Sequence, residues 1–312
     1  MNLIKPSLEI WEQNDIWEHI AKCTRVCYQS TPRENGETNE EFVRRVILHS
    51  STGEQDFSEL HGAMLEHGSV YLSWLVKFHE DDTQWFAKNK YSRVIVQTLS
   101  DGDKAAYITT NMRVIIENHK EYCLNNETLP TIHIPRITVS FITNIGVTRE
   151  FNRHRVNSIA EESTRYCNYS KLNNGNLNIV IPAWLYNEES LPYIETHQYD
   201  NIASYAEDIL ENEDDTILEK WCDIDFYLSA ITFAEWHYNM LIKKGWTAQR
   251  AREVLPLATK TQLIHTAFID DWIHFIKLRA IGVSGNPHPN AKILASDLYK
   301  KLVDLDLCNP IK

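Results

Sequence analysis

Residues 137–166 read ITVSFITNIGVTREFNRHRVNSIAEESTRY, and how this stretch divides into elements decides the fold. Ile137, Val139 and Phe141 alternate with Thr138 and Ser140, the two-residue period of a half-buried strand. Gly146 then breaks the chain, and Thr148 is placed to cap a helix running on through the arginine-rich part. On such a helix Arg149 and Arg153 share a face, as do His154, Ser158 and Glu161.

Working outward, Thr38-Asn39-Glu40-Glu41 has the form of a capping box ahead of Phe42, Val46 and Ile47. Residues near 69–73 alternate as a strand, and Val94, Ile95 and Val96 form a β-branched run. Asp101-Gly102 suits a hairpin turn, with Tyr107–Thr110 returning as the partner strand before a helix from about Asn111. On the C-terminal side a strand is expected at Leu177–Ile181, entered through Asn174-Gly175 and stopped by Pro182. Apolar positions at three- and four-residue steps predict a helix from about Thr216 to Lys244, left through Gly245. Thr247 caps a further helix limited by Pro256, and a last long helix is expected over Phe268–Ala280. Strands mixed with long helices, and no βαβ rhythm, give an α+β class with a mixed or antiparallel sheet. Without a linker or repeat, the chain reads as one domain carrying an insertion.

Composition narrows the function. A net charge of −12 over 312 residues argues against a nucleic-acid surface, which needs a clustered positive field. The first twenty residues mix acids with apolar residues, unlike a signal peptide, and no apolar run is long enough for a membrane span. Six scattered cysteines suit reduced thiols, so the expected location is the cytoplasm.

The densest chemistry lies in Arg153–Tyr166, where three arginines, a histidine, two glutamates and two serines occupy fourteen positions. Arginine presents a planar fork that matches phosphate bidentately. One such contact contributes on the order of 1.5–3 kcal/mol. Micromolar nucleotide binding needs roughly 8 kcal/mol, so arginines from several segments must converge. A solvated helix face with ion pairs accounts for the same pattern. Arg252 and Arg279 stand out for their apolar neighbours, although an arginine ending an apolar helix also caps carbonyls or pairs with an acid. The glycines form no phosphate loop, and no metal-ligand spacing is present. Ser163 lacks the strand–nucleophile–helix context of an acyl-transfer nucleophile.

Arg153-His154-Arg155 followed after seven residues by Ser163 resembles the RHRx7S signature of flavin-dependent thymidylate synthases. Ser158, Glu161, Arg165 and Tyr166 fit the longer pattern. His61–His67 resembles the family's H-x-S-x-x-E-H element, Ala251-Arg252 with Val254-Leu255-Pro256 its A-R-x-x-L-P element, and His274-Phe275 with Leu278-Arg279 its H-F-x-x-L-R element. The resemblance implies reductive methylation of dUMP to dTMP, with methylenetetrahydrofolate as carbon donor and NADPH-reduced FAD as hydride source. It also implies a homotetramer with active sites at subunit interfaces. By position, Arg153, His154, Arg155, Glu161 and His274 would contact FAD. Glu150, Arg153, Glu161, Glu162, Ser163, Thr164, Arg165, Arg252 and Arg279 would surround dUMP, and Arg279 would be the catalytic residue that activates the uracil. None of the six cysteines follows proline, in keeping with chemistry that uses no enzyme thiol on uracil.

Departures are also legible. Ala63 and Ala160 stand where relatives carry polar residues, Glu150 replaces a glutamine, and Phe268-Ile269-Asp270 fills a segment often polar. Residues from about 73 to 135 form an insertion between motifs that usually lie close together. The three substitutions leave open a non-catalytic nucleotide or flavin binder that kept the fold.

Overall fold

A computed structural model describes residues 1–31, 36–47, 62–172, 175–185 and 221–311. Its central sheet joins Ser7–Trp11 (β2), Arg136–Asn144 (β6), Lys260–Phe268 (β9) and Ser158–Glu161 (β7) in that order, every neighbour antiparallel. A second antiparallel sheet joins Ser69–Leu75 (β3), Lys104–Asn111 (β5) and Arg93–Thr98 (β4). Asn2–Ile4 (β1) and Asn178–Val180 (β8) form a parallel pair. The α+β class with antiparallel sheets is therefore as expected. The β4–β5 hairpin is too: Gly102 takes φ +88, the left-handed conformation the turn requires.

Both faces of the central sheet are covered. On one, Val139 and Phe141 pack with Leu263, Trp272, Phe275, Leu294 and Leu298. Leu263 belongs to β9, and the other four come from helices Ile269–Ile276 and Pro289–Asp304. On the other lies helix Ile16–Tyr28 (α1), whose Cys23 and Val26 meet Trp11, Ala160 and Ile264. The period of β6 is real, but its polar face is not solvated. Thr138 is 4 % exposed and bonds to His19 Nε2 at 2.9 Å and to Thr266 Oγ1 at 2.7 Å. Alternation thus marks two buried faces, one apolar and one hydrogen-bonded.

The arginine-rich stretch departs from expectation. The helix after β6 covers only Ile145–Phe151, capped by Asn144, whose Oδ1 accepts from Val147 N at 2.9 Å. Thr148 instead donates its hydroxyl to Ile145 O, and Gly146 sits inside the helix. Residues 152–157 are turns, and Ser158–Glu161 is a strand, so the helical face proposed for Arg149 and Arg153 does not exist. The physical reason is β9. Pairing Ser158–Glu161 against Thr266–Leu263 buries Ala160, which outweighs local helix propensity. Asn144→Ala is expected to destabilise the fold by about 1 kcal/mol, read from urea unfolding.

The helix expected over Phe268–Ala280 is present, as an α-helix, Ile269–Ile276, that runs on into a π-type turn, Lys277–Ile281, a change of winding the sequence did not announce. A further helix, Pro289–Asp304, buries Ala291, Leu294, Ala295, Leu298 and Leu302 along one stripe. Asp223–Lys243 is helical with Gly245 at φ +91 behind it, while the earlier part of that expected helix lies outside the described residues.

Candidate active site

Arg279 lies in the π-type turn, a distortion frequent at functional sites. Its Nη1 donates to Glu150 Oε2 at 2.6 Å, its Nη2 to the Glu150 carbonyl at 2.7 Å and its Nε to His154 Nε2 at 3.2 Å. The loop behind is tightly built. Gly282 takes φ +83, and a Cβ there would come within 2.7 Å of Gly285 O. Together with Glu150, residues 284–288 and Arg279 enclose a cavity of about 410 Å³.

His154 accepts from a guanidinium, so its ring is neutral with the proton on Nδ1. Burial, then Arg279 and His274, holds its pKa near 4. The His154 ring lies 6.0 Å from His274 and 4.8 Å from Phe275. Burial likewise lowers His19 to about 4 and His67 and His265 to about 3. Unfolded histidines titrate near 6.5, so between that pH and about 4 the unfolded chain binds more protons. The melting temperature is therefore expected to be highest above roughly pH 6.5 and to drop steeply toward pH 4, as followed by circular dichroism. A flat profile would contradict four buried neutral imidazoles.

A second cluster gathers the remaining candidates. Ser163 N donates to Cys27 O at 3.0 Å, which seats the turn after β7 on the end of α1. Glu162 is 4 % exposed and its Oε2 meets Lys260 Nζ at 2.5 Å and Gln29 Nε2 at 3.3 Å. Arg165 Nε donates to Gln249 Oε1 at 2.8 Å, and Arg252 Nη1 reaches Thr164 Oγ1 at 3.4 Å. Tyr28 and Tyr166 pair at 5.1 Å beside them. Ser163 Oγ accepts from Arg165 N at 3.3 Å while His154 faces Arg279, so the two do not form a nucleophile–base pair.

Glu161 lies between the clusters. Burial pushes its carboxyl up, opposed by Asn152 Nδ2 donating at 3.1 Å. Asn152 Oδ1 also lies 3.4 Å from His265 Nε2, whose Nδ1 pairs with Asn157 Nδ2 at 3.1 Å. Neither Arg165 nor Arg252 lines the cavity beside Arg279. Arg153 and Arg155 are exposed. His67 bonds internally to Thr266 Oγ1 at 2.8 Å, and His61 lies outside the described residues.

A family model described as thymidylate synthase complementing protein matches residues 79–305. The chain belongs to that family. A probable flavin-dependent thymidylate synthase of Paramecium bursaria Chlorella virus 1 is 33% identical over 64 residues. That match covers 20% of this chain and 30% of that protein, so it spans less than a third of the relative's length. Among solved structures, the UMP/dUMP methylase PolB from Streptomyces cacaoi bound with 5-Br UMP has a TM-score of 0.43 at 15% identity, covering 98% of this chain and 92% of that one. The same enzyme with 5-Br dUMP scores 0.41 at 15% identity, over 98% and 93%. Helicobacter pylori ThyX with FAD and dUMP scores 0.37 at 13% identity, over 94% and 92%. Scores this low describe a distant likeness only.

Asn152, His265, Lys260 and Gln29 are site neighbours that no sequence motif announced. All depend on β9 or on α1 lying across it.

Proposed function

We propose that this protein is a flavin-dependent thymidylate synthase that converts dUMP to dTMP, with methylenetetrahydrofolate as carbon donor and NADPH as the source of reducing power. The observation that carries this reading is Arg279, presented by a π-type turn beside a cavity and oriented by Glu150 and a neutral His154. A guanidinium stays protonated through the reaction and stabilises charge as it develops on the uracil.

Arg153 and Arg155, exposed and without carboxylate partners among the described residues, suit the anionic groups of FAD, as does the neutral imidazole of His154 for its ring system. Glu161 and His274 complete the proposed cofactor set. Bound FAD would supply the hydride. Glu150, Arg153, Glu161, Glu162, Ser163, Thr164, Arg165, Arg252 and Arg279 would hold dUMP. Neither residues 161–165 nor Arg252 line the Arg279 cavity of the same chain, which suits a homotetramer whose subunits bring the two sets together. The single catalytic domain, the insertion over about 73–135 and a cytoplasmic location belong to the same reading.

Purified protein should be yellow, and NADPH should reduce its flavin faster when dUMP is present. A colourless protein that gains no flavin on titration would overturn the proposal. The Glu150–Arg279 ion pair also favours a second reading, a nucleotide binder whose guanidinium is permanently engaged. Tritium release from [5-³H]dUMP excludes that alternative.

A further inference from the structure

Behind Glu161, side chains from three separate elements form a hydrogen-bonded chain: Asn152 at the end of the helix after β6, His265 in β9 and Asn157 in the turn before β7. Asn152 Nδ2 donates to Glu161 Oε2 at 3.1 Å, and Asn152 Oδ1 lies 3.4 Å from His265 Nε2. Asn157 Nδ2 lies 3.1 Å from His265 Nδ1. His265 is wholly shielded from solvent and Asn157 nearly so. Strand pairing sets the spacing, because Ile159 lies opposite His265 and Glu161 stands two residues further on the same face of β7.

A side-chain amide can present either its oxygen or its nitrogen, so a neighbour has to choose. His265 makes that choice. Burial holds its pKa near 3, and a neutral imidazole carries one ring proton. With Nδ1 accepting from Asn157, that proton sits on Nε2 and points at Asn152 Oδ1, which leaves the Asn152 amide nitrogen for Glu161. The chain runs one way and ends on the carboxylate. Reversed, it would turn the Asn152 oxygen on Glu161, which suits only a protonated carboxyl that donates. The reversed chain would also engage Asn157 Oδ1, which is buried and has no hydrogen-bond partner among the described residues. Its polarity is thereby tied to the ionisation of Glu161.

We infer that Asn152 is a positioning residue: its amide, oriented by His265, fixes the Glu161 carboxylate in place and in its ionised form, as an acceptor for the bound ligand. That this ligand is dUMP or flavin rests on the thymidylate synthase reading; the hold on the carboxylate does not. Burial raises the Glu161 pKa, the Thr148, Asn152 and Thr261 side chains oppose the rise, and neighbouring Glu162 adds to it. The Cys27 thiol of α1 also faces the carboxylate. Thr148 gives its hydroxyl proton to Ile145 O, and Thr261 Oγ1 has no partner in hydrogen-bonding geometry. Among the described residues Asn152 is therefore the donor that holds Glu161, and a donor to the charged form favours that form.

The test is Asn152→Leu, which keeps the bulk and removes the donor, with Asn152→Ala as a second variant should leucine disturb folding. Infrared difference titration follows the protonated-carboxyl band that Glu161→Gln abolishes. Its midpoint is expected to rise by about one pH unit in Asn152→Leu, where a hydrogen bond to a charged group is lost. The rise should be smaller in His265→Phe, where the amide remains but is free to turn. Tritium release from [5-³H]dUMP should then fall about tenfold on the acid side of both midpoints, one unit being a factor of ten in ionised carboxylate, and recover as the pH rises above them. A merely structural defect would lower the rate equally at every pH. A shifted infrared midpoint in protein whose wild type releases no tritium would keep the positioning role and remove the thymidylate synthase reading. An unmoved midpoint in the folded Asn152 variants, or a loss of activity equal at every pH, would overturn the inference while leaving that reading in place.

Discussion

Arg279→Ala is expected to lower dTMP formation by roughly two to three orders of magnitude, the usual cost of removing one preorganised group that stabilises developing charge. Flavin should stay bound, because the resemblance places Arg279 on the uracil rather than the cofactor. The structure adds a condition. The guanidinium is engaged by the Glu150 carboxylate and carbonyl and by His154. Substrate must therefore share or displace the Glu150 contact, which a glutamine at that position would hold less strongly. Glu150→Gln should accordingly leave turnover measurable and lower KM. Tritium release from labelled dUMP, measured on both variants, decides the matter. Retained turnover in Arg279→Ala would show that the guanidinium does not act on the uracil.

The second large effect concerns stability. Lys260→Met should destabilise the protein by about 3–5 kcal/mol, because it strands the Glu162 carboxylate without its cation. The Glu162 side chain is 2% exposed and that of Lys260 15%, so water cannot replace the lost partner. Gln29 at 3.3 Å is the remaining donor to that oxygen. Removing both charges, as in Glu162→Gln with Lys260→Met, should recover most of the loss, since paired removal leaves no orphan. Urea unfolding of the single and double variants reads this directly. A cost below about 1 kcal/mol for the single variant would mean that Glu162 is not held as a buried carboxylate.

The composition of the motifs was legible in the chain; their conformation was not. The capping box at Thr38 is real, with Glu41 N donating to Thr38 Oγ1 at 3.2 Å and Thr38 N to Glu41 Oε2 at 2.8 Å. The hairpin at Gly102 is real for the same reason, since a left-handed turn needs only its own residues. β9 escaped notice because its sequence, KTQLIHTAF, sets polar residues on both faces. Thr261, His265 and Thr266 are all fully buried, and in Thr266 and His265 that polarity is met by Thr138, His67 and Asn157. Period-two alternation detects a strand with one wet face, so a strand polar on two buried faces leaves no such trace.

By itself, the sequence determined which residues are available: the arginines, the histidine and the glutamates of 150–165, together with Arg252 and Arg279, and the family to which they belong. It also determined the local turns and caps, whose energies depend on a few adjacent residues. Only the tertiary structure decided that the arginine-rich stretch is a turn and a strand, that Arg279 is held by Glu150 and His154, and that Arg136 and Arg155 line one cavity. Those outcomes rest on contacts more than a hundred residues apart in the chain for the first two and on sheet packing for the third. The free energy of burying β7 against β9 exceeds any local preference, and local preference is all that a linear pattern records.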